Sequence, residues 1–216
     1  MFTAVIAELV ESKEPLDYPE IQKKLKKIIK DVNEFYEEQI QNGFTVTTEG
    51  GIQGLLKSPE KLLEILLKVK FKLHPVKLRF GIGFGEVGET EKMGAGEGSA
   101  NHLARQMISE VKRMQLGKKA LHADMQFGHV DRPSSLDALN AGVCLMHFIE
   151  VGWTDKQREN IFDSLFLRLN QSEIALKKKV HQSTVHRSLT AAGFYEYERA
   201  FLEFQRHLNG LSRQAE

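Results

Sequence analysis

The chain has one cysteine in 216 residues, Cys144, so an intrachain disulfide is excluded. In its apolar surroundings the thiol reads as a small core residue rather than a nucleophile. No apolar run approaches the roughly 18 uncharged residues of a membrane span. The opening segment MFTAVIAELVESK has no basic stretch ahead of its apolar residues and soon meets Glu8 and Glu11, which argues against a signal peptide. A soluble, cytoplasmic protein is the expectation. Charge of one sign is also lacking. Thirty basic residues stand against 29 acidic ones, so any affinity for a polyanion must be local. There is no internal repeat and no low-complexity tract. GIGFGEVG has neither the G-x-G-x-x-G spacing ahead of a helix nor a Walker lysine, and alternate glycines in a strand point instead to close backbone packing or a bulge. Histidines do not recur at the i, i+4 spacing of a helical metal site; His181 and His186 are i, i+5.

What is present is periodic. Phe2 to Val10 is apolar and reads as a strand. Asp17 to Ile40 carries Ile21, Leu25, Ile28, Ile29, Val32 and Phe35 at helical spacing, with Gly43 as its stop. Phe44 to Thr48, Gly50-Gly51 and Ile52 to Leu56 form a hairpin pattern. Ser58 and Pro59 open a second helix that reaches about Leu73. Val76 to Val87 is a glycine-alternating strand, Ala100 to Met114 a helix, and His122 to Phe127 a further strand. The order β-α-β-β-α-β-α-β predicts helices on one face of a mixed sheet. Gly128 to Ser135 reads as a linker, and all that follows reads as helix.

The stretch from Gln171 to Leu189, QSEIALKKKVHQSTVHRSL, holds the strongest functional signal. Ile174 and Ala175 suit a close helix crossing, Val180 a buried turn, and Val185 and Leu189 one buried face of a second helix. Between them Gln182, Ser183, Thr184, His186 and Arg187 are polar groups of the kind that read base edges, and Lys178 suits a phosphate. The run resembles the pattern Q-x-x-I-A-x-x-x-G-V-S-x-x-T-V of bacterial helix-turn-helix regulators. Lys179 stands where that pattern has glycine, and His181 where it has a Ser cap. Upstream, Thr154 and Gln157 have the spacing of a capping box. A plain helical hairpin is the alternative for this segment.

Three segments of the first half resemble class III nucleotide cyclases and their GGDEF-type relatives. These are AVIAELVES, TTEGGIQGLL, and LRFGIGFGEVGE followed by GEGSANHLARQM. Joined to the C-terminal motif, they make the chain resemble the SatD family, in which a cyclase-like domain carries a DNA-binding tail. The resemblance implies an α+β fold. Residues 1–128 would be a ferredoxin-like, nucleotide-cyclase-like αβ sandwich. Residues 129–216 would be an all-α domain with the helix-turn-helix at 171–189. It also implies where two metal-bridging carboxylates would stand. Glu8 occupies the first position, one methylene longer than aspartate. Gly50 occupies the second and has no side chain, while the adjacent Glu49 would point to the other face of a regular strand. With one ligand altered and one missing, catalysis is not expected, and no cofactor is expected.

The expectation is a non-catalytic transcriptional regulator that binds double-stranded DNA as a homodimer, away from membranes. Glu8, Glu11, Glu49 and Arg105 mark a vestigial nucleotide or metal site. Gly94 to Ser99, with Asn101 and Arg105, suits a small anionic or nucleotide ligand at a helix start. The helix from Leu136 to Val151 is apolar around much of its circumference, so it is buried within its own subunit or shared with a second. The alternatives are a divergent metal-dependent nucleotide cyclase or nucleotide-processing enzyme, and a partner-binding scaffold.

Overall fold

The computed structural model describes residues 1–10, 17–48, 50–88, 98–117, 120–131 and 133–213. The mixed α+β chain runs β1 (Phe2–Leu9), α1 (Tyr18–Phe35), β2 (Ile40–Val46), β3 (Ile52–Leu56), α2 (Leu62–Leu73), β4 (Leu78–Gly85), α3 (Ser99–Leu116) and β5 (Met125–His129). Helices α4 (Asp137–Val151), α5 (Asp155–Leu167), α6 (Gln171–Lys178), α7 (Gln182–Ala191) and α8 (Phe194–Arg213) follow. The element order matches the pattern read from the sequence. No described helix is long and apolar enough to cross a membrane.

The five strands lie in the order β2-β3-β1-β4-β5. Each neighbouring pair among the first four is antiparallel, and β5 joins β4 in parallel through the α3 crossover. Helices cover both faces of the sheet, not one. Val5 and Ala7 of β1, with Phe80, Ile82 and Phe84 of β4, belong to the core filled by α1 and α2. Ala4, on the opposite face, packs with Ala100 and Ala104 of α3. The glycines of β4 explain the second layer. A Cβ on Gly83 would lie 2.0 Å from the Ala100 carbonyl oxygen, and one on Gly81 2.1 Å from that of Ala104. Glycine is therefore required for the α3 backbone to rest directly on the strand.

Several boundaries differ from the sequence pattern, and β5 runs to His129, into the stretch from Gly128 to Ser135 that reads as a linker. α1 stops at Phe35, because Ile40 already pairs with Leu56 of β3, and Gly43 sits inside β2 rather than ending the helix. α2 starts at Leu62, after a turn in which the Leu62 N–H donates to the Pro59 carbonyl at 3.1 Å. β5 starts at Met125, where its pairing with Phe80 begins.

Each edge strand of the sheet is clasped at one residue by an asparagine. Asn33 of α1 donates to the Phe44 carbonyl and accepts from the Phe44 N–H of β2, each at 2.8 Å. Asn140 of α4 does the same for Phe127 of β5, at 3.0 and 2.8 Å. A side-chain amide thus stands in for a neighbouring strand and blunts the edge.

The helical part shares the core of the sheet. Phe71 of α2 packs edge-on against Phe166 of α5 at 5.4 Å and meets Trp153 at 5.7 Å. One continuous cluster of buried side chains runs from Val5 to Leu211.

Candidate functional site

α5, α6 and α7 are built by local signals. Thr154 caps α5 in a reciprocal capping box with Gln157. Asn170 does the same for α6, accepting from Ser172 and Glu173 at 2.9 and 3.0 Å while the Asn170 N–H donates to Glu173. α6 ends at Lys179, which takes the left-handed conformation with φ 54° and ψ 46°. Ile174, Ala175, Val185 and Leu189 are buried, as their spacing predicts. Val180 is not: at 44% exposure it faces solvent, beside an α6 whose Leu176 is 81% exposed. The Val180 N–H donates to the Ala175 carbonyl at 3.0 Å, closing the turn after α6.

The outer face of α7 is polar. Gln182, Ser183, Thr184, His186 and Arg187 are all exposed. Gln182 donates to the Gln171 side chain at 3.1 Å, and Gln171 donates to the Tyr195 hydroxyl at 2.9 Å. That hydroxyl lies 3.3 Å from Nδ1 of His186. Tyr195, at the start of α8, was not legible as part of this face, because its position depends on the turn at Gly193 (φ +64°). The lysines of α6 are arranged differently. Lys178 pairs with Glu159 at 2.9 Å and Lys177 with Asp163 at 2.7 Å, so both are held against α5.

The other predicted residues lie across the sheet. Glu8 stands opposite Arg79 of β4 and its carboxylate pairs with Lys112 of α3 at 2.5 Å. The hairpin tip does come beside this end of β1, since Ala7 pairs with Ile52. Gly50 has φ +80°, which glycine adopts freely, and a Cβ there would be 3.1 Å from a Leu9 methyl. Arg105 is exposed on α3, two turns and about 10 Å of helix rise from Lys112. Ser99 and Asn101 lie in the first turn of α3. Glu11, Glu49 and the loop from Gly94 to Glu97 lie outside the described residues.

Sequence reasoning missed a buried charge cluster where the sheet meets the helices. Lys70 of α2 is in direct ion contact with Asp124, which precedes β5, and with Glu150 of α4 at 2.8 Å. His147 Nδ1 lies 3.3 Å from Asp124 and 3.2 Å from Glu150, and the Tyr197 hydroxyl of α8 donates to Glu150 at 2.6 Å. Burial alone would raise the Glu150 carboxyl. The Lys70 ammonium and His147 outweigh it and bring the group down to about 2. Asp124 moves the other way, since burial dominates there despite the same ammonium. The asymmetry has a structural cause: His147 hydrogen-bonds to Glu150, while the Glu150 charge itself pushes the neighbouring Asp124 carboxyl up. Lys70 stays above its usual value because its two carboxylate partners outweigh desolvation. Asp124, His147 and Glu150 are also disposed as three ligand atoms within 4.8 Å of one another. The Lys70 ammonium lies against all three, 3.5 Å from His147 Nδ1, so the chain supplies its own cation there.

The sequence model of the SatD family matches residues 2–203. No curated protein matches the chain.

Proposed function

The chain belongs to the SatD family, and from that premise we propose that it is a DNA-binding transcriptional regulator acting as a homodimer. In this reading α6 and α7 form a helix-turn-helix, and the cyclase-like sheet part does not turn over nucleotides. The carrying observation is the outer face of α7, where five exposed polar side chains surround a helix pinned by Val185 and Leu189. Such a helix presents side chains to a major groove. Lys178 contacts phosphate in this reading only by exchanging Glu159 for it. The order of the first four strands supports the ferredoxin-like, cyclase-like reading of residues 1–128. The ion pair of Glu8 with Lys112 supports the loss of metal chemistry, because an ammonium already neutralises the first-strand carboxylate.

The test is binding to genomic fragments selected by the protein itself, followed by anisotropy titrations. Gln182→Ala and Arg187→Ala are each expected to cost about 1–3 kcal/mol on the selected sequence. Lys178→Ala is expected to weaken all sequences alike and to flatten the salt slope by about one unit. Unchanged affinity in all three folded variants would overturn the reading. The runner-up, a divergent metal-dependent nucleotide cyclase, rests on the hairpin tip lying beside Glu8. With Mg²⁺ or Mn²⁺ and ATP or GTP, no cyclic or linear dinucleotide product is expected. Turnover that disappears in Glu8→Ala would promote the runner-up.

A further inference from the structure

α4 is apolar on two opposite sides. Leu139, Val143 and Met146 are buried in the chain's own core. On the far side Ala138, Ala141, Leu145 and Phe148 are exposed, and Leu145 and Phe148 show 65% and 61% of themselves to solvent. These four fall at alternating spacings of three and four, the seam of a coiled coil. The stripe carries no charge, in a chain of which 27% is charged. His122 meets the Phe148 ring edge-on at 5.1 Å, and the next residue in sequence, Leu121, is exposed.

We propose that this stripe is the dimer seam, with α4 packed antiparallel against α4 of a second copy about a two-fold axis near Val143. The argument for a second copy is one of size. Small residues occupy the N-terminal half of the stripe and large ones the C-terminal half. In the antiparallel arrangement Ala138 meets the partner's Phe148 and Ala141 meets the partner's Leu145, and the symmetry repeats both layers. Every layer then sets one large side chain against one alanine, as a self-complementary isologous contact requires. A different protein would have to supply the same residue sizes in reverse order, which α4 itself already does. The apolar area is that of a weak, transient interface. With Leu121 and Val151, the stripe offers on the order of 300–400 Å² per copy. Doubled, that lies below the roughly 1,600 Å² total of a standard interface. The dimer is therefore expected to exchange with monomer as concentration falls. The inference rests on the homodimer reading but not on DNA recognition.

The test is sedimentation of the full chain without DNA, from low micromolar to several hundred micromolar. A concentration-dependent dimer is expected, and Leu145→Glu, at a largely exposed position, is expected to leave a folded monomer. Ala141→Leu adds apolar surface yet is expected to weaken the dimer about tenfold by overpacking the layer. A short bis-maleimide is expected to bridge the two copies of Cys144, which flank the axis, and Cys144→Ser should abolish the bridge while keeping the dimer. A monomer at every concentration would overturn both the homodimer reading and the seam. A dimer indifferent to Leu145→Glu overturns the seam alone. Tighter association in Ala141→Leu overturns the large-to-small register.

Discussion

Lys179 is an L-residue at φ 54° in the turn between α6 and α7. A left-handed conformation costs such a residue about 1–2 kcal/mol, and glycine gives back part of the gain through its looser unfolded chain. Lys179→Gly is therefore expected to stabilise the protein by about 0.5–1 kcal/mol, a rise of about 1–4 °C in melting temperature by calorimetry. No change or a loss would mean that the lysine side chain contributes contacts of its own. Exposure at the same turn bears on recognition. Val180 and Leu176 face solvent beside α7, so the rim of the polar face is partly apolar.

Among elements, the two edge-clasping asparagines and the charge cluster do the joining. Asn140→Ala would leave the N–H and carbonyl of buried Phe127 without partners, an expected cost of about 2–4 kcal/mol in urea unfolding. Asn33→Ala at the other edge is expected to behave alike. Glu150 ties α4 to α2 and α8, and its pH dependence follows from its position. Its carboxyl lies at about 2 in the folded chain, below the roughly 4.3 of an unfolded glutamate. Its stabilising contribution is thus complete above about pH 4.5 and is lost as pH falls towards 2. Burial of Asp124 acts in the opposite sense. Urea titrations at a series of acidic pH values are expected to show a shallower acid loss in Glu150→Gln than in the wild type. Parallel curves would mean that Glu150 is not the group responsible.

At the scale of the molecule, the sheet and the helices behave as one packing unit. Phe71, Trp153, Tyr197 and Phe201 belong to the same buried cluster as Val5 and Ile82. A single cooperative thermal transition is expected, with calorimetric and van't Hoff enthalpies in agreement. Two resolved transitions would show that residues 1–128 and 129–216 are energetically separate. The shared core also gives a route by which a change in the sheet part reaches α7, through α2, α5 and α8.

The sequence by itself determined the elements whose signals are local. Spacing of three and four marked α7 and its buried Val185 and Leu189. The Thr154–Gln157 pair marked the start of α5, and alternate glycines marked β4 as a strand in close backbone contact. These patterns lie within one or two turns of chain, so periodicity alone carries them. Tertiary structure decided what depends on partners distant in sequence. Pairing of Ile40 with Leu56 ended α1 early, and the absence of Cβ atoms on β4 put α3 on the second face. Glu159 and Asp163 drew the α6 lysines away from α7. Lys70, Asp124, Glu150 and Tyr197 come from four separate segments, and no local spacing links them. Nothing in a run of residues records which buried charge another will meet, because that is fixed only when the sheet order and helix packing bring the segments together.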